Sequence, residues 1–233
     1  MHFFDVHDQA ELESLAALAI LEVLQHPDGH VVLATGSSPK GAYAEVADRI
    51  RQAGPPTSHV HVTMLDEWHG LPAGAESCRT YLRKNVVAPW GIDPTKFLAF
   101  DTEAADAVAE CQRISEAMEQ LPPVGLVVLG LGVNGHVGMN EPGEAHVPGI
   151  HVSQLAESSR SHSMLAGLAK PPTQGMTMGL DVICRAGHVL MLVSGPTKRG
   201  ALHALMNDKI ECQVPGSLLR LARSCDVLYT CID

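Results

Sequence analysis

Charged residues are scarce in this sequence, and paired-cysteine motifs are missing. Only 18% of the 233 residues are charged, whereas 45% are hydrophobic, which is typical of a globular protein and not of a disordered one. The six cysteines show no CxxC spacing, and several have apolar neighbours. We therefore expect reduced thiols in a reducing compartment, and we predict a cytoplasmic location.

Positive charge is scarcer still, because the formal net charge is -10. This balance offers no electrostatic basis for binding nucleic acid or an anionic membrane, so we predict neither partner. An anionic small molecule would need a locally built pocket. The first residues lack a basic segment before an apolar run, and no apolar stretch approaches transmembrane length, so we expect a soluble protein without a secretory signal.

Short apolar runs alternate with helical patterns along the whole chain. This alternation predicts an α/β fold with a doubly wound, mostly parallel, Rossmann-like sheet in three layers. No repeat, low-complexity tract or long linker divides the chain, so we predict one domain over residues 1–233. The clearest predicted strands are His30 to Thr35, His59 to Leu65, Val124 to Leu131, His188 to Val193 and Val227 to Cys231.

Two later segments carry weaker patterns. The run from Val147 to Ser159 shows no clear period, and we predict it to be irregular. The segment from Met176 to Ile183 is predicted to turn into a helix.

The stretch VVLGLGVNGHVGMNEPG, Val127 to Gly143, concentrates polar residues after a predicted strand. Its glycines suit a loop that wraps a small ligand, because glycine permits positive φ and close approach of the backbone. His136 and Glu141 could form a general acid/base with its orienting carboxylate. A structural histidine is the plainer alternative. A dinucleotide turn is disfavoured, because GLGVNG is followed by His and then NEP, not by an amphipathic helix.

Two other strand–helix turns consist of small residues. Gly36, Ser37 and Ser38 follow the strand that starts at His30, and the turn Ser194 to Lys198 follows the strand that starts at His188. Free backbone N–H groups and the helix dipole make such turns suitable for an anion, although an ordinary capped helix gives the same pattern.

Asp66 and Glu67 end the predicted strand His59 to Leu65. Paired carboxylates at the carboxyl end of a strand are well placed for acid/base chemistry. A solvated turn is the alternative interpretation.

Together, in order, four motifs of this sequence resemble the glucosamine-6-phosphate deaminase/isomerase family. The DEW motif and the run HVSQLAESSRSHSML are most similar to its galactosamine-6-phosphate isomerase (deaminating) branch. Related phosphogluconolactonases share a Gly-rich GH motif but usually lack NEPG. The four motifs are LATGSSPKGAY (Leu33 to Tyr43), MLDEWHGLP (Met64 to Pro72), LGLGVNGHVGMNEPGE (Leu129 to Glu144) and VLMLVSGPTKRGAL (Val189 to Leu202).

The resemblance implies roles for particular residues. Asp66 would move a proton between C2 and C1 of an open-chain amino sugar, and His136, held by Glu141, would open the pyranose ring. Asn134 stands where many relatives have Asp, so Glu141 would supply more of the charge. The residues expected to bind substrate are Gly36, Ser37, Ser38, Glu67, Lys198 and either His162 or Arg160.

The implied reaction is an aldose–ketose isomerisation with deamination of a hexosamine 6-phosphate, either galactosamine-6-phosphate to tagatose-6-phosphate or glucosamine-6-phosphate to fructose-6-phosphate. A 6-phosphogluconolactonase-type hydrolase and a non-catalytic sugar-phosphate sensor are the alternatives. The resemblance implies no metal and no organic cofactor. A hexosamine phosphate is the expected small-molecule partner, and a homo-oligomer is left open.

Overall fold

The computed structural model describes residues 1–72, 74–143 and 145–230. Glu144, at the end of the third motif, and Cys231, at the predicted end of the last strand, lie outside these ranges. The strands are β1 (His2–Asp5), β2 (His30–Leu33), β3 (His61–Met64), β4 (Asp66–His69), β5 (Phe97–Leu98), β6 (Leu126–Gly130), β7 (Ile150–Gln154), β8 (Gln174–Met178), β9 (His188–Ser194) and β10 (Cys225–Thr230).

The helices follow most of these strands. A π-helical turn at Arg83–Val87 joins the short α-helices Cys78–Leu82 and Ala88–Trp90. Short 3₁₀ turns occur at Pro94–Lys96, Ser163–Leu165, Pro196–Lys198 and Pro215–Leu221. The α-helices are α1 (Gln9–Leu24), α2 (Lys40–Ala53), α3 (Cys78–Leu82), α4 (Ala88–Trp90), α5 (Ala107–Glu119), α6 (Glu157–Arg160), α7 (Leu180–Ile183) and α8 (Arg199–Met206).

Seven strands form one parallel sheet in the order β1-β10-β9-β6-β2-β3-β5. The central strands are apolar because both faces are covered. Side chains alternate along β2, so that Val31 and Leu33 pack with α1, α2 and α5, whereas Val32 packs with α7 and α8. The predicted doubly wound, three-layer fold is confirmed.

A second, smaller sheet corrects three predictions. β4, β8 and β7 form an antiparallel sheet, in which Glu67 pairs with Met176 and Val152 also pairs with Met176. The region Val147 to Ser159 is therefore not all irregular, and the chain from Met176 is strand before it becomes α7. Asp66 to His69 does not end β3 but begins this new sheet. Each of these strands is short, so its partners and not its own pattern determine its structure.

The central parallel sheet has a topological switch point between β2 and β6. After β2 the chain continues outward to β3 and β5, whereas after β6 it continues in the other direction to β9 and β10. The connections that leave the carboxyl ends of β2 and β6 therefore diverge, and a crevice opens between them, where α/β proteins bind ligands. Within the described ranges, no helix has the length and apolar character needed to cross a membrane.

Candidate active site

A cavity of about 350 Å³ lies at the switch point, at the carboxyl ends of the strands. It brings together predicted residues from all four motifs of the sequence. Those that line it are Gly36, Ser37, Ser38, Asp66, His136, His162 and Lys198. Asn134, Glu141, Glu67 and Arg160 are not among the lining residues.

The first wall is the turn between β2 and α2. Gly36 has a φ of 107°, a conformation that side-chain-bearing residues rarely adopt, so glycine is required there. The Tyr81 hydroxyl donates a hydrogen bond to the Gly36 carbonyl at 3.0 Å and holds the turn in place. Ser37 and Ser38 follow in the turn and line the cavity just before α2 begins at Lys40. This arrangement suits an anion.

Lys198 supplies a cation from a different strand. It lies in the 3₁₀ turn after β9, and Gly195 opens that turn with a φ of 88°. Burial lowers the pKa of Lys198, because an ammonium group is less stable away from water. A bound anion would stabilise the charged form of the Lys198 ammonium group, so Lys198 is well suited to bind an anion in the cavity.

Asp66 provides a carboxylate on the floor of the cavity. It follows β3 and starts β4, and only 8% of its surface is exposed. Burial, together with the charge of neighbouring Glu67, raises the pKa of Asp66 to about 7. A carboxyl group with this pKa can take up and release a proton near neutral pH, which is what a proton shuttle requires.

Glu67 is fully buried and engages the backbone. Its carboxylate accepts hydrogen bonds from the N–H groups of Trp68 at 2.9 Å, Cys78 at 3.1 Å and Arg79 at 2.9 Å. It therefore fixes the start of α3 next to Asp66. Glu67 does not line the cavity, and its predicted contact with substrate stays a prediction.

The central loop places a histidine against a carboxylate. His136 Nδ1 lies 3.6 Å from Glu141 Oε2. Asn134 joins the two residues, because its side-chain amide donates to Glu141 at 2.8 Å and its side-chain oxygen accepts the backbone N–H of His136 at 3.0 Å. Gly132 leaves room for the ring, since a Cβ there would lie 2.4 Å from two imidazole atoms.

A contact that the sequence did not predict completes this group. The Ser159 hydroxyl lies 3.1 Å from His136 Nδ1. Ser159 belongs to a serine-rich run in which no spacing or neighbour distinguishes it. Burial lowers the pKa of His136, Glu141 raises it, and Lys198 and His162 lower it further. The imidazole is thus favoured in its neutral form.

Arg160 and His162 occupy different environments. The His162 ring packs on Trp68 with 5.4 Å between ring centroids, and both residues line the cavity. Burial and the nearby Lys198 lower the pKa of His162. Arg160 Nε is buried and has no hydrogen-bond partner among the described residues, but Arg160 does not line the cavity. Of the two predicted alternatives, His162 is the one in position to meet a ligand.

In the part of the chain that the structure describes, no group of three or more His, Cys, Asp or Glu side chains is arranged to hold a metal ion. The polar groups at the cavity are instead a carboxylate, two imidazoles, an ammonium group and one small-residue turn. Such a set can bind a phosphorylated molecule and move protons on it.

Fold and cavity together define an α/β protein whose switch-point cavity has a lining suited to binding an anion and transferring a proton. The chain belongs to the family described as "Glucosamine-6-phosphate isomerases/6-phosphogluconolactonase", whose model matches residues 8–228. The resemblance noted in the sequence is therefore confirmed at the level of the family.

Individual relatives agree with this assignment. The chain is 34% identical to "Putative deaminase AgaI" of Escherichia coli (strain K12), over 93% of this chain and 86% of that protein. It is 32% identical to "Glucosamine-6-phosphate deaminase" of Geobacillus sp. (strain WCH70), over 94% of this chain and 89% of that one.

Solved structures agree with the fold and the family assignment. A monomeric glucosamine-6-phosphate deaminase superimposes with a TM-score of 0.94 at 27% identity, covering 100% of this chain and 98% of that chain. A 6-phosphogluconolactonase from Thermotoga maritima superimposes with a TM-score of 0.76 at 17% identity, covering 98% of each chain, and this likeness shows the fold alone.

Proposed function

We propose that the protein is an amino-sugar-phosphate deaminase that isomerises a hexosamine 6-phosphate to a ketose 6-phosphate and releases ammonia. The observation that carries the proposal is that Asp66, His136, the Gly36-Ser37-Ser38 turn and Lys198 line one cavity. The names of the relatives that this chain resembles support it.

The substrate phosphate would lie between the Gly36-Ser37-Ser38 turn and Lys198. Backbone N–H groups, hydroxyls and the ammonium group supply donors to its oxygens, and the charge of Lys198 is worth most in a partly buried site. Lys198 lies close enough to His162 to lower the pKa of His162, and both residues line the cavity. This cradle would hold the sugar with C1 and C2 above Asp66.

Ring opening would begin the reaction. His136 takes the proton from the C1 hydroxyl and returns it to the ring oxygen as the C1–O5 bond breaks, which leaves an open-chain aldehyde. The Glu141 carboxylate stabilises the imidazolium that forms in between. Asn134 donates a hydrogen bond to Glu141 and keeps that carboxylate in place. Asn134 itself carries no charge, so the stabilising charge comes from Glu141.

Asp66 would then transfer one proton. Its carboxylate removes the proton from C2 while the substrate ammonium group gives a proton to O1, which gives a neutral enolamine with a C1 hydroxyl. Asp66 then returns its proton to C1, which gives an iminium ion at C2. Water adds to C2, and ammonia leaves as the ketose carbonyl forms. A single carboxyl group with a pKa near 7 can serve in both directions, and no step requires a metal or organic cofactor.

We further propose that galactosamine-6-phosphate is the preferred substrate and that glucosamine-6-phosphate is second. The sequence resemblance around Asp66-Glu67-Trp68 and His151 to Leu165 supports this order. The two epimers differ only at C4, so ammonia release should be measured with both under identical conditions. A higher kcat/KM for the gluco epimer would contradict the order but not the reaction.

The lactonase alternative predicts a different product. A 6-phosphogluconolactonase would hydrolyse the lactone without producing ammonia from either amino sugar, and a sensor would bind all of these ligands without turnover. Fast lactone hydrolysis with no ammonia release would replace our proposal. A cytoplasmic location and a homo-oligomer stay predictions, and one solved relative is described as monomeric.

A further inference from the structure

Two segments that are distant in sequence meet at the His136 ring. The first is the central loop, which contributes Glu141 at 3.6 Å from Nδ1. The second is α6, which contributes the Ser159 hydroxyl at 3.1 Å from the same nitrogen. Since 3.6 Å is too long for a hydrogen bond and 3.1 Å is within its range, Ser159 is the hydrogen-bond partner of Nδ1 in this structure.

α6 is also attached to the carboxylate. The backbone N–H of Ala156, which caps α6, donates to Glu141 Oε1 at 3.3 Å. Ser159 lies three residues later, almost one helical turn, and reaches His136. The short helix therefore docks on the histidine and on its carboxylate at once. Ser161 donates from its hydroxyl to the Glu157 carbonyl and closes the turn from the other end.

We propose that Ser159 is a positioning residue for His136: its hydroxyl oxygen accepts a hydrogen bond from Nδ1–H and leaves the Nε2 lone pair facing the cavity. This inference rests on the proposed function, because ring opening needs a histidine that can accept a proton on the substrate side. The inference also means that His136 can act as the base only while α6 stays packed against His136 and Glu141.

The oxygens around Nδ1 support this assignment. A neutral imidazole carries its proton on one nitrogen, and the hydrogen bond made by that nitrogen decides which one. Nδ1 faces a carboxylate, which can only accept and therefore favours a proton on Nδ1. The Ser159 hydroxyl, which can accept as well as donate, accepts from that proton at the shorter distance of 3.1 Å.

Asn134 explains why a second contact is needed. Its amide donates to Glu141 Oε2, the oxygen nearest to His136, and so draws that oxygen into another hydrogen bond. Asn134 also contributes no negative charge beside the ring. The other titratable groups that act on His136 are Lys198 and His162, and both oppose its protonation. Ser159 is thus the neutral group that holds the ring without adding charge.

The direct test is nitrogen NMR of the His136 side chain at a pH where the ring is neutral. Wild type should show a protonated Nδ1 and an unprotonated Nε2. In Ser159→Ala, we expect a mixture of the two tautomers and a kcat lower by roughly threefold to tenfold, as for the loss of one hydrogen bond, with KM almost unchanged. Ser159→Thr keeps the hydroxyl and should restore the wild-type tautomer and most of kcat.

Glu157→Ala is the matched control. It removes an exposed side chain from the same helix and touches neither His136 nor Glu141, so its spectrum and kcat should equal those of wild type. An unchanged tautomer in Ser159→Ala would overturn the inference, as would a loss of kcat that Ser159→Thr does not restore.

The tautomer is read without turnover, so it also separates two kinds of failure. Suppose that wild-type protein releases no ammonia, but that its His136 shows the expected tautomer and Ser159→Ala changes it. The proposed function would then fail, and the positioning role of Ser159 would stand.

Discussion

Asp66 is the residue on which the proposed chemistry depends most. Asp66→Asn keeps the shape but cannot accept a proton, so we expect kcat to fall by a factor of about 10² to 10⁴ and KM to change little. Ammonia release and exchange of the C2 proton with solvent measure the effect. Asp208→Asn, at a fully exposed carboxylate, is the control and should behave as wild type. Normal turnover by Asp66→Asn would remove Asp66 from the mechanism.

The pKa of Asp66 also predicts a pH dependence. The base must be ionised to accept the C2 proton, and burial next to Glu67 raises its pKa to about 7. In wild type, kcat/KM should therefore rise with pH through about 7 and then level off, instead of levelling off near pH 4 as for an ordinary aspartate. A profile that is flat from pH 5 to 8 would contradict this assignment.

Lys198 tests the position of the phosphate. Lys198→Ala deletes a charge-assisted contact worth about 1.5–3 kcal/mol, so KM for a phosphorylated substrate should rise roughly 10- to 150-fold. Lys209→Ala removes the same charge from an exposed position, and its KM should not change. If both variants kept the wild-type KM, the phosphate would have to bind elsewhere.

At the scale of elements, one glycine in the loop after β6 makes room for the His136 ring. An alanine at position 132 would put its Cβ 2.4 Å from His136 Nδ1, whereas an alanine at position 130 would meet no atom within 4 Å. Gly132→Ala should displace the imidazole and lower kcat, and a displacement of about 1 Å costs roughly a hundredfold. Gly130→Ala should lose far less activity. Equal kcat values for the two variants would show that the ring position is unimportant.

The elements also indicate what the sequence can and cannot predict. β2, β6 and β9 were predictable because they are buried on both faces, and their apolar runs are a local property. β7 and β8 were missed because they are held by each other and by β4, whose residues lie more than a hundred positions before β8. A pattern of neighbouring residues cannot reveal a pairing between strands so far apart in the sequence.

The same distinction applies to the site. His136 and Glu141 were predictable as a pair because one loop contains both. Ser159 was not, because it reaches His136 from another segment, and neither was the occupation of Glu67 by backbone N–H groups 11 and 12 residues further on. Contacts across the fold are decided by tertiary packing, which a single sequence does not display.

For the whole molecule, the buried Asp66 should cost stability. A folded-state pKa of about 7, compared with the usual 3.8, means that ionisation opposes folding. The cost is absent below pH 3.8, grows as the pH rises from there, and is complete above about 7. Asp66→Asn should therefore raise Tm more at pH 8 than at pH 5, and each 1 kcal/mol moves Tm by roughly 2–4 °C in a protein of this size. Scanning calorimetry at both pH values measures it. A Tm difference that is larger at pH 5 would refute the assigned direction.

The most direct test of the central claim is to run the reaction in D₂O and follow both products. We predict that a hexosamine 6-phosphate yields ammonia and ketose 6-phosphate in equal amounts, and that the ketose carries solvent deuterium at C1 because Asp66 exchanges its proton between the two steps. Asp66→Asn should form both products at a rate lower by a factor of about 10² to 10⁴. The account would be contradicted by wild-type protein that releases no ammonia from either amino sugar phosphate while it hydrolyses 6-phosphogluconolactone rapidly.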